Sequence, residues 1–179
     1  LQSDAMIFSD AGPDVRWIGN EKGIAGDPCW ATYTPHPASG EQSIGPGTTK
    51  YQEAGQGHRD GKYWMPGEAD VSIRPGWFYH ADQDARVRTP DNLVDLYFAS
   101  VGRGASLLLN LPPDRRGQIH PADQEALKGF RRMLDRMFAR NLAQAGSVQA
   151  SNERGGGAEF KAVNAIDGDR GTYWSTDDK

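Results

Sequence analysis

Glu21 closes the tract RWIGNE at residues 16–21, where it follows a tryptophan and stands among glycines. A carboxylic acid beside an indole, in a turn lined by glycine, can have a raised pKa and serve as a general acid. The same residues also allow a surface glutamate that pairs with Arg16 or Lys22. The local sequence leaves both interpretations open.

A second pair of carboxylates, Glu68 and Asp70, lies in the tract GEADVSIRPGW. Residues two apart in an extended chain point to the same face, so both carboxylates should share one side of a strand. Such a pair could transfer protons, bind a metal or accept hydrogen bonds from sugar hydroxyls. The alternative is that Arg74, further along the same face, neutralises them.

Trp77 and His80 follow Pro75-Gly76, where the strand should end. An exposed indole at that edge is a natural platform for the apolar face of a sugar. For Phe78 and Tyr79 we expect packing into the core instead.

Several kinds of chemistry find no support in the sequence. The four histidines are far apart and Cys29 is the single cysteine, so no metal, no cofactor and no intrachain disulfide are expected. The net charge of −4 shows no basic excess, which argues against nucleic acid as a partner. No apolar run approaches the roughly 20 residues of a membrane span.

The hydrophobic pattern predicts an α/β fold. Residues 5–10 predict a buried strand, residues 11–30 an ordered loop on the rim of the sheet, and residues 35–62 a long functional or mobile loop. Two further strands are expected: one within residues 69–79, stopped by Pro75-Gly76, and one within residues 105–113. Each is followed by a helix: one begins after the N-cap Thr89, the other spans about 120–143 with an apolar stripe, namely Leu127, Phe130, Leu134, Met137 and Phe138. Three strands cannot close a barrel, so we expect further strands on the N-terminal side.

Composition divides the chain into three parts. Residues 1–143 carry the α/β pattern, residues 144–157 (QAGSVQASNERGGG) form a flexible linker, and residues 158–179 look like the start of a second module.

Taken together, the tracts MIFSDAGPDVRWIGNEKG, WMPGEADVSIRPGWFYH and LVDLYFASVGRGASLLLNLPPDRRGQIHPAD resemble the α-L-fucosidases of glycoside hydrolase family 29 over residues 1–143. RWIGNE is most similar to the subfamily that favours α-1,3/4-linked fucose. The resemblance implies the C-terminal part of a TIM-like (β/α) barrel and retaining hydrolysis of terminal fucose. It makes Glu21 the acid/base, with Glu68 ranked second and more suited to substrate contact. It places Trp77 against the fucose, with Arg74 and His80 as weaker candidates for binding hydroxyls.

The nucleophile of that family is an aspartate in a segment of the type WxDGA, which these 179 residues do not contain. Asp10 and Asp14 lie near Glu21 without that context. We therefore expect the nucleophile to lie upstream and the chain by itself to be inactive. The alternative is a glycan-binding protein without catalysis, built on a degenerate barrel.

The tract AVNAIDGDRGTYWST resembles the start of a discoidin-like (F5/8 type C) module, a β-sandwich that often binds carbohydrate. The match rests on five residues: Asp167, Gly168, Asp169, Thr172 and Trp174. In many such modules these residues are structural, with the tryptophan buried. Because fucosylated glycans occur outside the cytoplasm, we expect a periplasmic or extracellular protein.

Overall fold

A computed structural model describes residues 2, 4–10, 12, 14–36 and 50–177. The chain forms two compact units, Leu1–Leu134 and Asp135–Lys179. The strands are β1 (Phe8–Ser9), β2 (Val15–Trp17), β3 (Thr32–Tyr33), β4 (Tyr63–Trp64), β5 (Gly67–Ser72) and β6 (Ser106–Asn110). The α-helices are α1 (Tyr51–Ala54), α2 (Pro90–Ser100) and α3 (Pro121–Met137).

The first unit is built on a parallel sheet with strand order β1-β2-β5-β6. Side chains alternate between its two faces. On one face, Val71 and Ile73 pack with Leu93 and Leu96 of α2 and Ala126 of α3, which forms the hydrophobic core.

The opposite face of the sheet, which we call the open face, has no helix packed on it among the described residues. Register places Trp17 beside Glu68, and Asp70 beside Leu108, on this face. The side chains here are polar or only partly buried; Leu108 is 42% exposed. Parallel sheets are normally covered on both sides, so an uncovered face is unusual.

The α/β prediction and most of its elements are confirmed, with two corrections. Residues 15–17, expected to be loop, form the inner strand β2. The strand predicted at residues 5–10 shrinks to Phe8–Ser9, and it lies at an edge of the sheet rather than buried: Met6 is 73% exposed and Phe8 45%. The long loop predicted at 35–62 contains α1, while its residues 37–49 lie outside the described residues.

Arg16 explains why β2 lies inside the sheet although its central residue is charged. The side chain is fully buried. Its guanidinium donates to the carbonyl oxygens of Ala54 at 2.9 Å and Trp30 at 2.8 Å, and also to that of Met65. The Arg16 side chain thus holds the long segment between β2 and β5 against the sheet. Gly57 has φ +66°, and a Cβ there would lie 2.7 Å from Arg16 Nη2.

Helix α2 begins as predicted, with Pro90 at its first position and Thr89 as N-cap. The Asn92 backbone N–H donates to the Thr89 hydroxyl oxygen at 3.2 Å. Replacing Thr89 with Ala should lower the free energy of unfolding by about 1 kcal/mol, because this N–H then loses its partner. Urea denaturation measures the change. Thr89→Ser keeps the hydroxyl, so equal loss in both variants would contradict a capping role.

Helix α3 follows the predicted pattern over its first turns. Leu127 and Phe130 pack against the core, whereas Met137 is 48% exposed and Phe138 59% exposed. The apolar stripe is therefore buried only in its first half.

The second unit contains short 3-10 turns and no strand within residues 135–177. Asp167 accepts hydrogen bonds from the Asp169 N–H at 2.8 Å and the Thr172 hydroxyl at 2.7 Å, with Gly168 at φ +83° between them. Trp174 donates to the Asn152 carbonyl at 3.1 Å and remains 39% exposed. The Asp-Gly-Asp tract thus shapes a turn, but the tryptophan is not fully buried.

Candidate active site at the carboxyl end of the sheet

Glu21 and Trp77 meet at the carboxyl end of the sheet although they are 56 residues apart. Glu21 follows the end of β2, and Trp77 follows the end of β5. The indole N–H of Trp77 donates to Glu21 Oε2 at 2.8 Å. Because β2 and β5 are neighbouring parallel strands, the segments after them emerge at the same edge, where α/β enzymes hold their catalytic groups.

The turn that carries Glu21 is fixed by its backbone. The Gly23 N–H donates to the Asp70 carbonyl at 3.0 Å, and Asn20 Oδ1 accepts from the Lys22 N–H at 3.0 Å. Gly23 has φ +70°, and a Cβ there would lie 2.9 Å from Val71. The carboxylate of Glu21 is therefore presented to solvent from a rigid turn.

The segment that carries Trp77 is fixed from β6. Asn110 Nδ2 donates to the Trp77 carbonyl at 2.9 Å and to the Ser72 hydroxyl at 3.1 Å, while that hydroxyl donates to the Gly76 carbonyl at 2.7 Å. Sequence reasoning missed Asn110. The available signal was a single polar residue at the end of the apolar strand SLLLN.

Glu68 and Asp70 lie on the open face, as the two-residue spacing predicts. The indole N–H of Trp17 donates to Asp70 Oδ1 at 2.6 Å. Burial raises the pKa of Glu68, the negative charge of Asp70 raises it further, and a hydrogen bond with Ser106 opposes the change. Glu68 therefore binds a proton more readily than an exposed glutamate does.

Arg74 does not neutralise this pair, so that alternative is wrong. Its side chain is fully buried and forms ion pairs with Asp84 and Asp123, each at 2.9 Å. Its guanidinium also lies 4.7 Å from the centre of the Tyr79 ring. This geometry makes Arg74 an anchor for the segment after β5 and does not support a role in binding sugar hydroxyls.

His80 and Arg16 are the other residues that the sequence analysis singled out near this site. His80 is exposed at the start of the 3-10 turn Ala81–Arg86. Arg16, one of the two cations that could have paired with Glu21, instead donates hydrogen bonds to backbone carbonyls.

Among residues 2–36 and 50–177, as far as the structure describes them, no group of three His, Cys, Asp or Glu side chains could hold a metal ion. Within the same described residues, no helix is long and apolar enough to cross a membrane.

Comparison with known proteins decides the family. The family model for α-L-fucosidases matches residues 36–137. That range is more than half of the chain. The chain belongs to the α-L-fucosidase family. The matched range includes Glu68, Trp77 and Asn110, but it begins after Glu21.

Individual relatives of this family extend the match to the whole chain. The chain is 41% identical to α-L-fucosidase 1 of Arabidopsis thaliana over 99% of its residues, which is 34% of that protein. It superposes on the crystal structure of SpGH29 with a TM-score of 0.85, at 38% identity, covering 100% of this chain and 37% of that one. A Ruminococcus gnavus GH29 fucosidase in complex with fucose gives a TM-score of 0.79 at 37% identity, covering 96% and 34%. The chain thus spans about a third of the length of these relatives.

Proposed function

We propose that this chain forms the C-terminal part of the catalytic domain of a retaining exo-α-L-fucosidase. The observation that carries the proposal is the hydrogen bond from Trp77 to Glu21 at the carboxyl edge of the sheet. It places a carboxyl group, which can act as a general acid, beside a half-buried indole, which can pack against a sugar ring. Family membership and the fucose complex of the Ruminococcus gnavus relative support fucose as the sugar.

The uncovered open face supports a barrel as the complete fold. In a TIM-like barrel this face would be the interior, covered by strands contributed from elsewhere in a longer protein. Glu68 and Asp70 would then point into the barrel, close to its carboxyl end.

In the mechanism, Glu21 protonates the glycosidic oxygen as the bond to fucose breaks. It then accepts a proton from the water that hydrolyses the fucosyl-enzyme intermediate. Trp77 packs against the fucose ring, Glu68 contacts a hydroxyl, and exposed His80 is a weaker candidate for the same task. We place the substrate among α-1,3/4-linked fucosylated glycans because RWIGNE resembles that subfamily.

We place the nucleophile outside these residues, because they contain no segment of the type WxDGA that the family resemblance implies. A retaining enzyme needs a second carboxyl about 5–5.5 Å from the acid/base. Asp14, one of the nearby candidates, instead accepts a hydrogen bond from the Ile7 N–H at 2.8 Å in the β1–β2 connection. We therefore propose an upstream aspartate as nucleophile.

Two further features belong to the same proposal. Residues 158–179 belong to the start of a discoidin-like module, a proposal supported by the Asp167-centred turn. The protein acts in the periplasm or outside the cell, where fucosylated glycans occur.

The test is the stereochemistry of hydrolysis by the full-length protein that contains these residues. Proton NMR of 4-nitrophenyl α-L-fucoside hydrolysis should show α-fucose as the first product, and the 179-residue chain by itself should release none. First release of β-fucose, or turnover by the isolated chain, contradicts the mechanism. Binding of the fucoside without hydrolysis would favour a glycan-binding protein.

A further inference from the structure

Glu21 has two carboxyl oxygens, and Trp77 binds only one of them. Oε2 accepts the indole N–H of Trp77 at 2.8 Å, whereas Oε1 accepts no hydrogen bond from the described residues. An indole N–H can only donate, so it binds an oxygen that offers a lone pair. In a protonated carboxyl group the better acceptor is the carbonyl oxygen, which leaves the proton on the other oxygen. The geometry therefore assigns the proton to Oε1.

The hydrogen bond from Trp77 becomes stronger as Glu21 delivers its proton. Oε2 belongs to a neutral acid before the transfer and to a carboxylate after it. Hydrogen bonds to ionised acceptors are roughly twice as strong as those between neutral groups. An interaction that strengthens toward the transition state lowers the barrier of that step. Trp77 thus assists proton donation in addition to packing against the sugar.

The position of the indole depends on the last residues of β5 and β6. Ser72 and Asn110 are register partners at the carboxyl end of the sheet. Asn110 Nδ2 donates to the Trp77 carbonyl at 2.9 Å and to the Ser72 hydroxyl at 3.1 Å. That hydroxyl donates to the Gly76 carbonyl at 2.7 Å. One amide group on β6 therefore holds the backbone that carries the indole.

Burial of the neighbouring side chain does not replace this contact. Phe78 does not pack into the core as its sequence predicts, because its side chain is 78% exposed. The next anchor along the chain is Tyr79, whose ring centre lies 4.7 Å from the Arg74 guanidinium. At Trp77 itself, the hydrogen bond from Asn110 is the contact that fixes the backbone.

We propose that Asn110 is a positioning residue for the acid/base, acting on Glu21 through Trp77. This inference rests on the proposed function. Asn110 and Glu21 are not hydrogen-bonded to each other: the amide fixes the Trp77 backbone, and the indole N–H fixes Glu21 Oε2. Without the amide, the segment after β5 is released, the bond to Oε2 weakens and the proton of Glu21 has no preferred oxygen.

The test in the full-length protein compares two leaving groups. Methyl α-L-fucoside needs a proton on its departing oxygen, whereas dinitrophenyl α-L-fucoside needs little. Asn110→Leu removes the amide at similar volume. It should raise the ratio of kcat/KM for the dinitrophenyl substrate to kcat/KM for the methyl substrate by about tenfold, as expected for one lost hydrogen bond. Trp77→Phe keeps an aromatic ring without the N–H and should raise this ratio at least as much.

The double variant shows whether Asn110 acts through Trp77. It should raise the ratio no further than Trp77→Phe does, because both changes remove the same bond to Glu21. Additive effects would mean that Asn110 acts by another route, and equal losses on both substrates would mean that it only maintains the shape of the sugar pocket. Either result overturns the proposal.

Two further variants support this comparison. Gln124→Leu removes a bond of the same kind, 2.8 Å from Gln124 Nε2 to the Ile119 carbonyl, and should leave the ratio unchanged. Asn110→Ser keeps a polar group at the strand end but is too short to reach the Trp77 carbonyl. It should change the ratio in the same direction as Asn110→Leu, and it takes the place of that variant if the leucine protein does not fold.

Nuclear magnetic resonance supplies a readout that does not depend on turnover. In protein labelled with ¹⁵N-tryptophan, the indole N–H signal of Trp77 is assigned by its loss in Trp77→Phe. Glu21→Ala and Asn110→Leu should both shift this signal toward that of an indole in water. A shift in Glu21→Ala without one in Asn110→Leu overturns the proposal. If the wild type hydrolyses neither fucoside while both variants shift the signal, the link from Asn110 to Glu21 stands and the proposed function fails.

Discussion

Replacing Glu21 with Gln in the full-length protein is expected to lower kcat on fucosides with poor leaving groups by roughly 10²–10⁴-fold. The amide has the same shape, and its oxygen can still accept the Trp77 N–H that is 2.8 Å from Glu21 in the wild type. It cannot protonate a departing sugar oxygen. Dinitrophenyl fucoside needs little protonation, so its first step should be spared. Steady-state kinetics on methyl and dinitrophenyl α-L-fucoside separate the two cases.

The control for this variant is Glu125→Gln. Glu125 is an exposed glutamate of α3 that pairs with Lys128 at 2.8 Å, and its replacement should leave both rates unchanged. If Glu21→Gln slows the two substrates equally, Glu21 is not the proton donor.

Azide provides an independent assignment. A small anion can attack the fucosyl-enzyme intermediate without a general base, so azide should accelerate Glu21→Ala on the dinitrophenyl substrate and yield α-fucosyl azide. If azide accelerates Glu68→Ala but not Glu21→Ala, Glu68 is the acid/base and Glu21 is not.

Capping residues and hydrophobic periodicity predicted the two helices, because short stretches of sequence determine them. Helix α2 has its cap at Thr89 and its stop near Ser100, and α3 has a stripe of period 3.6. Strand β2 was missed because three residues containing an arginine carry no strand signal. Pairing with β1 and β5, and the carbonyls that receive the Arg16 guanidinium, create that strand from distant parts of the chain.

The sequence predicted individual residues of the candidate site but not which of them contact one another. Glu21 and Trp77 each suggested sugar chemistry, yet only the parallel register of β2 and β5 brings them into hydrogen-bond contact. The bond between Trp17 and Asp70 depends on the same register. Spacing allowed Arg74 to share the face of Glu68 and Asp70, but its partners come from the 3-10 turn after β5 and from α3, which no local pattern specifies.

Replacing Asp123 with Ala is expected to lower the free energy of unfolding by about 3 kcal/mol, the lower end of the range for breaking a buried ion pair. Both side chains of the Arg74–Asp123 pair are fully buried, with Nε and Oδ2 2.9 Å apart. The variant leaves the guanidinium buried with Asp84 as its remaining carboxylate, which moderates the loss. Such a change is a large part of the roughly 5–15 kcal/mol that stabilises a typical domain.

Urea denaturation of Asp123→Ala and of Glu125→Ala, an exposed control on the same helix, measures the effect. The control should stay within about 0.5 kcal/mol of the wild type.

Among the described residues, Arg74 Nη2 and Asp123 Oδ1 are buried without hydrogen-bond partners, so the pair does not make all the hydrogen bonds that its atoms allow. The double variant Arg74→Met, Asp123→Leu should therefore recover much of the loss, because apolar replacements remove both buried charges. If Asp123→Ala unfolds at the same urea concentration as the control, the pair does not anchor the segment after β5. Trp77 would then be held at Glu21 by Asn110 and Ser72 without help from α3.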